Sequence, residues 1–303
     1  MNINKKKGYL LVLGTAIISG VSIFINQFGV KVINSDIFTG LKNIVVAVIL
    51  LCLIFWFKEW KLLAKLKIKE WGVLVLIGLV GGSIPFLLFF KGLAATSGAS
   101  TSFIHKTLFI YVIVLAVLVL KEKVSKNLVI GASLLLLGNI FLLKIFNGLQ
   151  FGYGEFLVLV ATLFWAAEQI ISKKALENIS PKIVAWGRMF FGFLFIFIFW
   201  TATGQMKLLG SMSVAELSWV WITAIFLLGY VLTWYAGLKY IPVSSAACVL
   251  ALGAPITSLL EMAQKGIFDW QIFFGSLIIF LGVIVVVDLM SKFKKEKVLS
   301  FKV

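Results

Sequence analysis

Apolar residues fall in ten long blocks separated by short polar connections: roughly Gly8–Val30, Phe38–Phe57, Trp71–Phe90, Ser97–Leu120, Leu128–Phe146, Gly152–Lys174, Pro181–Ala202, Leu217–Leu238, Val243–Ala263 and Trp270–Leu289. A helix needs about 20 mostly apolar residues to cross the hydrocarbon of a bilayer. Each block is close to that length, and a helix satisfies its own backbone where no water can. The pattern predicts an all-α integral membrane protein of ten transmembrane helices. The connections are too short to hold an extramembrane domain. Trp56, Trp60, Trp71, Trp200, Trp219 and Trp270 stand at block ends, where interfacial aromatics collect.

The pattern repeats. Gly92-Leu93 returns as Gly237-Leu238 at an offset of 145, Gly131 and Gly138 as Gly275 and Gly282 at 144, and Lys42 as Arg188 at 146. Each half, 1–147 and 148–303, holds five spans. Five is odd, so the second half enters the membrane from the opposite side, which makes an inverted repeat with its solute site expected near mid-depth at the repeat interface. The Gly-Leu pairs read as parts of the short turns before spans four and nine.

Composition agrees: 61% of residues are hydrophobic and 13% charged, and the mean hydropathy is +1.09. Soluble domains are about half apolar and a quarter charged. The net charge of +16 does not point to nucleic acid. The basic residues cluster between spans rather than along an aromatic-interleaved surface. Twenty of the 28 lie on the side of the N-terminus, five on the other, and three (Lys42, Lys106, Arg188) within spans. That bias predicts cytoplasmic termini for a multi-pass cell-membrane protein. The basic segment Met1–Lys7 leads directly into an apolar run with no small-residue cleavage site, so it reads as an uncleaved first span. Cys52 and Cys248 read as small hydrophobes, and neither a metal-ligand spacing nor a phosphate-binding glycine loop is visible. No cofactor is expected.

Polar residues inside the spans carry the candidate chemistry. Thr15, Ser19, Ser22 and Asn26 share one helix face, and the repeat offset sets Ser19, Ser22 and Asn26 on Trp165, Glu168 and Ser172 of span six. Such hydroxyls can also be simple interhelical hydrogen-bonding groups. His105 and Lys106 sit side by side, about 100° apart around span four. Ionisable groups at this depth rarely face lipid. Lys106 reads either as an anchor for a carboxylate or as the partner of Glu168. His105 and Glu168 are candidate proton-coupling groups, since imidazole titrates near neutrality. Tyr111, Trp165, Trp186, Trp234 and Tyr235 could form aromatic walls, and Pro255 a bend or hinge in span nine. Lys42 and Arg188 read as snorkelling to headgroups.

Ten spans in two inverted fives resemble the drug/metabolite transporter superfamily, and within it the EamA-type branch. The resemblance rests on Lys42 and Arg188, the Leu120-Lys121-Glu122-Lys123-Val124 segment, the G-x(6)-G of spans five and ten, and Pro255. Ile110 stands near a usual proline, and Ile267 where a Glu would match Glu122. The resemblance implies a small-solute carrier, often an exporter of amino acids or related metabolites, with ten helices around a central cavity. The expected partners are a small solute, the bilayer and a coupling proton. An organic-cation carrier, with Glu168 and aromatics as its site, is the rival reading. A membrane enzyme would need a surface acid/base or metal cluster, and none is visible.

Overall fold

A computed structural model describes residues 3–142 and 151–287. Lys144, the C-terminal lysines from Lys292 onward and the far ends of spans five and ten lie outside the described residues. The described chain is helical. Eight segments are long and apolar enough to cross a membrane, and two shorter apolar helices complete the ten. The first, second, sixth, seventh and eighth spans are single helices: α1 (Ile3–Val32), α2 (Ser35–Trp56), α9 (Tyr153–Ala175), α10 (Pro181–Ala202) and α11 (Val214–Leu238). A short α3 (Trp60–Leu63) follows span two. Spans five and ten are α8 (Lys126–Leu142) and α14 (Trp270–Val286).

Three spans are interrupted. Span three runs as α4 (Ile68–Ile77), a π-helical stretch (Gly78–Ser83) and α5 (Ile84–Ala95). Span four breaks at Thr107 into α6 (Gly98–Lys106) and α7 (Leu108–Leu120), and span nine at Ala251–Leu252 into α12 (Val243–Leu250) and α13 (Gly253–Lys265). The repeat offset of 145 places Thr107 on Leu252, so the two breaks are equivalent. They arise differently. Pro255 has no N–H to offer the Ala251 carbonyl four residues back, and Ala254 N–H bonds that carbonyl instead at 3.1 Å. Span four has no proline. The Thr107 hydroxyl bonds the Ile104 carbonyl at 2.7 Å, and this local competition with the helix ladder accompanies the break.

The principal helix pairs each join one half of the chain to the other: α1 with α11, α5 with α9, α2 with α10 and α8 with α14. Glycines explain how close they come, since small residues let backbones approach within a membrane. A Cβ on Gly131 would lie 2.8 Å from the Gly282 carbonyl, and one on Gly138 2.8 Å from that of Gly275. Gly92 faces Gly154 in the same way at 2.7 Å, and its repeat equivalent Gly237 faces Gly8 at 3.0 Å. This corrects the reading of the Gly-Leu pairs as turn residues. Gly92 lies within α5 and Gly237 within α11. The turn before span four is at Thr96–Ser97, where Ser97 Oγ caps α6 by accepting Ser100 N–H at 3.0 Å. Trp200 does not face lipid. It is fully buried, its ring filling the space that a Cβ on Gly40 would need.

Candidate functional site

A cavity of about 70 Å³ lies at the repeat interface. Its walls are Ser19, Ser22, Ile23 and Asn26 of α1, Lys42 of α2, Phe86, Phe89 and Phe90 of α5, His105 of α6, Trp165 of α9, Arg188 of α10, and Leu227 and Tyr230 of α11. One water takes about 10–15 Å³ of such space. The cavity therefore fits a small solute rather than a drug-sized one, which needs about 300–1,000 Å³.

Two cation clusters meet here, one from each half. In the second half, Arg188 Nη1 lies 3.8 Å from Glu168 Oε2 and donates to Tyr235 Oη at 3.2 Å, while its Nε donates to the Gly81 carbonyl at 3.1 Å. Glu168 Oε1 accepts from Tyr235 at 2.6 Å and from Ser172 at 2.5 Å. In the first half, Lys42 Nζ donates to Asn26 Oδ1 at 2.7 Å, and Asn26 Nδ2 to Ser22 Oγ at 2.9 Å. Lys42 also sits 3.6 Å from the Phe90 ring centroid and 4.1 Å from that of Phe38. The two clusters are related by the repeat: Lys42 matches Arg188, Asn26 matches Ser172, and Ser22 matches Glu168. The difference is one of charge. Arg188 has a carboxylate, and the corresponding place beside Lys42 holds a serine.

Lys42 and Arg188 are 1% and 3% exposed, so neither snorkels. A π-stretch rich in glycine permits this, because Gly81 and Gly82 bring their backbone against α9 and α10. Lys106 is not bonded to Glu168. Its Nζ donates to Ser19 Oγ at 2.7 Å, beneath the cavity wall, and its stem passes against Gly253 at the broken span nine. His105 packs on Phe89 and Trp165, with ring centroids 5.4 and 4.8 Å away, and its Nδ1 is buried without a partner. Trp165 Nε1 donates to the Gly81 carbonyl at 2.9 Å.

The structure thus brings Ser22, Asn26, His105 and Trp165 into one wall, with Lys106, Glu168 and Tyr235 directly behind it. Tyr111, Trp186 and Trp234 are not part of the lining. Trp234 is fully buried and stacks on Tyr230 at 6.3 Å. The aromatic wall is instead mainly Phe86, Phe89, Phe90 and Tyr230, which sequence reasoning missed among so many apolar residues. Lys42 and Arg188 carried a usable signal: both are charges within spans at repeat-equivalent positions. Among the described residues, no group of three His, Cys, Asp or Glu could hold a metal.

One end of the bundle is cross-linked by hydrogen bonds. Glu122 accepts the N–H of Val243 at 2.9 Å and of Ser244 at 3.3 Å, and the Ser244 hydroxyl at 2.6 Å, which caps α12. Lys173 Nζ donates to the Leu238 and Ile241 carbonyls at 2.7 and 2.8 Å. The repeat puts Ile267 and Gln27 at the corresponding places on the opposite end, where neither carries a charge. In a Cys52→Ser background, Glu122→Ala is expected to speed maleimide labelling of the buried Cys248 on α12. The expected gain is about fivefold, for a lost cap of ~1 kcal/mol. An unchanged labelling rate would show that Glu122 does not hold this end closed.

The chain matches the EamA-like transporter family twice, over residues 6–144 and 152–288. It is 25% identical over 298 residues to the uncharacterized transporter YetK of Bacillus subtilis, covering 94% of this chain and 88% of that one. It is 22% identical over 284 residues to the uncharacterized transporter YyaM of the same organism, covering 91% and 92%. A crystal structure with 16% sequence identity superposes with a TM-score of 0.72 over 93% of this chain and 97% of that one, a likeness of fold alone.

Proposed function

The chain belongs to the EamA-like transporter family, and from that premise we propose that it is a secondary carrier of a small carboxylate-bearing metabolite, such as an amino acid or a related acid, working by alternating access. The observation that carries this reading is the charge difference between the repeats. Lys42 lines the cavity with neutral partners only, at the place where its counterpart Arg188 has Glu168. A buried cation is stabilised by a counter-charge, and a solute carboxylate beside Lys42 and the Ser22 hydroxyl supplies it.

The organic-cation reading is less well supported. Both Glu168 oxygens already have partners in Ser172, Tyr235 and Arg188, so no free carboxylate faces the cavity. The coupling ion in this proposal is a proton. His105 is the better placed of the two candidate groups, because it lines the cavity and its buried Nδ1 has no hydrogen-bond partner. Export is the direction that the family resemblance implies. With the termini cytoplasmic, as the lysine bias predicts, the end held by Glu122 and Lys173 is the inner one. The cavity then reaches from mid-depth toward the outer face. In this scheme Pro255 and Thr107 mark the hinge points of spans nine and four, and the solute reaches the cell membrane's outer side when the inner end is closed.

Lys42→Met is expected to fold, because a flexible apolar side chain of similar length can pack on Phe38 and Phe90. It is expected to lose binding of small carboxylates, read as the loss of their thermal stabilisation of the detergent-purified protein. Undiminished carboxylate stabilisation in Lys42→Met would overturn the proposed site, and stabilisation of the wild type by organic cations alone would overturn the substrate class.

A further inference from the structure

The cavity carries more positive charge than one carboxylate neutralises. Lys106 is as buried as Lys42, at 1% exposure each, and among the described residues its ammonium donates a hydrogen bond to the Ser19 hydroxyl and pairs with no carboxylate. The two lysines bond the two ends of one polar stripe on α1, Lys106 at Ser19 and Lys42 at Asn26. Seven residues separate those ends, a rise of about 10 Å along the helix. Ser19 accepts from Lys106, so its own hydroxyl proton is free to point into the cavity, where its donor strength is raised by the charge behind it. His105 lines the same cavity as Ser19, its Nδ1 buried and without a partner. The stripe therefore presents a cationic anchor at each end, with Ser22 between them and phenylalanine rings opposite.

We infer that the preferred solute carries two carboxylates, bound lengthwise along this stripe, one at the Lys42 ammonium beside Asn26 and the other at the Ser19 hydroxyl above Lys106, next to the His105 ring. Charge-assisted hydrogen bonds of about 2.7–2.9 Å at each end leave roughly 5 Å between the carboxylates, the span of a dicarboxylate with about four or five carbons. The apolar middle of such a solute lies against Phe86 and Phe89. The cavity lining holds no Asp or Glu to pair with an ammonium group, so the second charge is an anion rather than the cationic end of a zwitterion. This inference rests on the carboxylate-carrier reading and sharpens its substrate class.

The test compares succinate and glutarate with butyrate, by equilibrium binding to the detergent-purified wild type, Lys42→Met, Lys106→Met and Ser19→Ala. The dicarboxylates are expected to bind about tenfold or more tighter than butyrate, the scale of one charge-assisted hydrogen bond. Lys106→Met and Ser19→Ala are expected to erase that preference while butyrate still binds. Ser19→Ala keeps the measurement informative if Lys106→Met does not fold. Equal wild-type affinity for butyrate and succinate, with both lost in Lys42→Met, would overturn the two-anchor inference and leave the single-carboxylate reading standing. A preference for succinate that survives Ser19→Ala would also overturn it. Binding of none of the three acids would overturn both.

Discussion

Glu168→Ala is expected to be one of the most damaging single substitutions in this protein. It leaves Arg188 buried with no counter-charge and strips Tyr235 and Ser172 of their shared acceptor. Removing one partner of a buried ion pair costs about 3–5 kcal/mol, because the remaining charge has neither water nor an opposite charge. The residual bonds of Arg188 to the Gly81 carbonyl and Tyr235 do not replace it. The measurement is the melting temperature and monodisperse yield in detergent. Glu168→Ala should lose most of both, whereas the double variant Glu168→Met with Arg188→Met should recover much of the stability, since an apolar pair of similar volume removes the desolvation cost altogether. If Glu168→Ala melts like the wild type, the buried pair is not holding α9 to α10.

Gly82→Ala should be comparably severe for a steric reason. A Cβ at Gly82 would lie 2.0 Å from the Arg188 carbonyl oxygen and 3.0 Å from Gly192 Cα. Both are backbone atoms of α10, so no rotamer change relieves the clash. The helix must move, and the hydrogen bond from Asn43 Nδ2 to the Gly82 carbonyl at 2.6 Å moves with it. Overpacking a tight contact costs about 1–3 kcal/mol or more, and this site belongs at the upper end. Gly14→Ala and Gly72→Ala are the controls. Neither Cβ would meet anything within 4 Å, and alanine favours a helix over glycine by up to about 1 kcal/mol. A melting temperature for Gly82→Ala that matches these controls would refute the close crossing of α10 on the π-stretch.

The two predictions differ in how far the sequence alone leads to them. A carboxylate within span six is visible at once, because bilayer hydrocarbon admits charges so rarely. The space around Gly82 is not visible, because a glycine in a helix has the same local sequence signal whether it faces lipid or another backbone. Gly14 and Gly82 are indistinguishable until their neighbours are known.

The sequence by itself determined the number of spans, the inverted repeat and which charged residues fall within spans. Those follow from segment length, the offset near 145 and the cost of charge in hydrocarbon, all properties of the chain read one residue at a time. It also located the break in span nine, because a proline acts on its own helix. The break at Thr107 carries no such signal, because the hydroxyl that takes the Ile104 carbonyl there is common in any span. Tertiary structure alone decided the partners. Lys106 meets Ser19, Arg188 meets Glu168, and Lys42 and Arg188 turn inward rather than toward headgroups. Helical periodicity fixes which residues share a face of one helix, but which neighbouring helix that face meets depends on how ten helices pack, and here the packing is set by glycine crossings between the two halves.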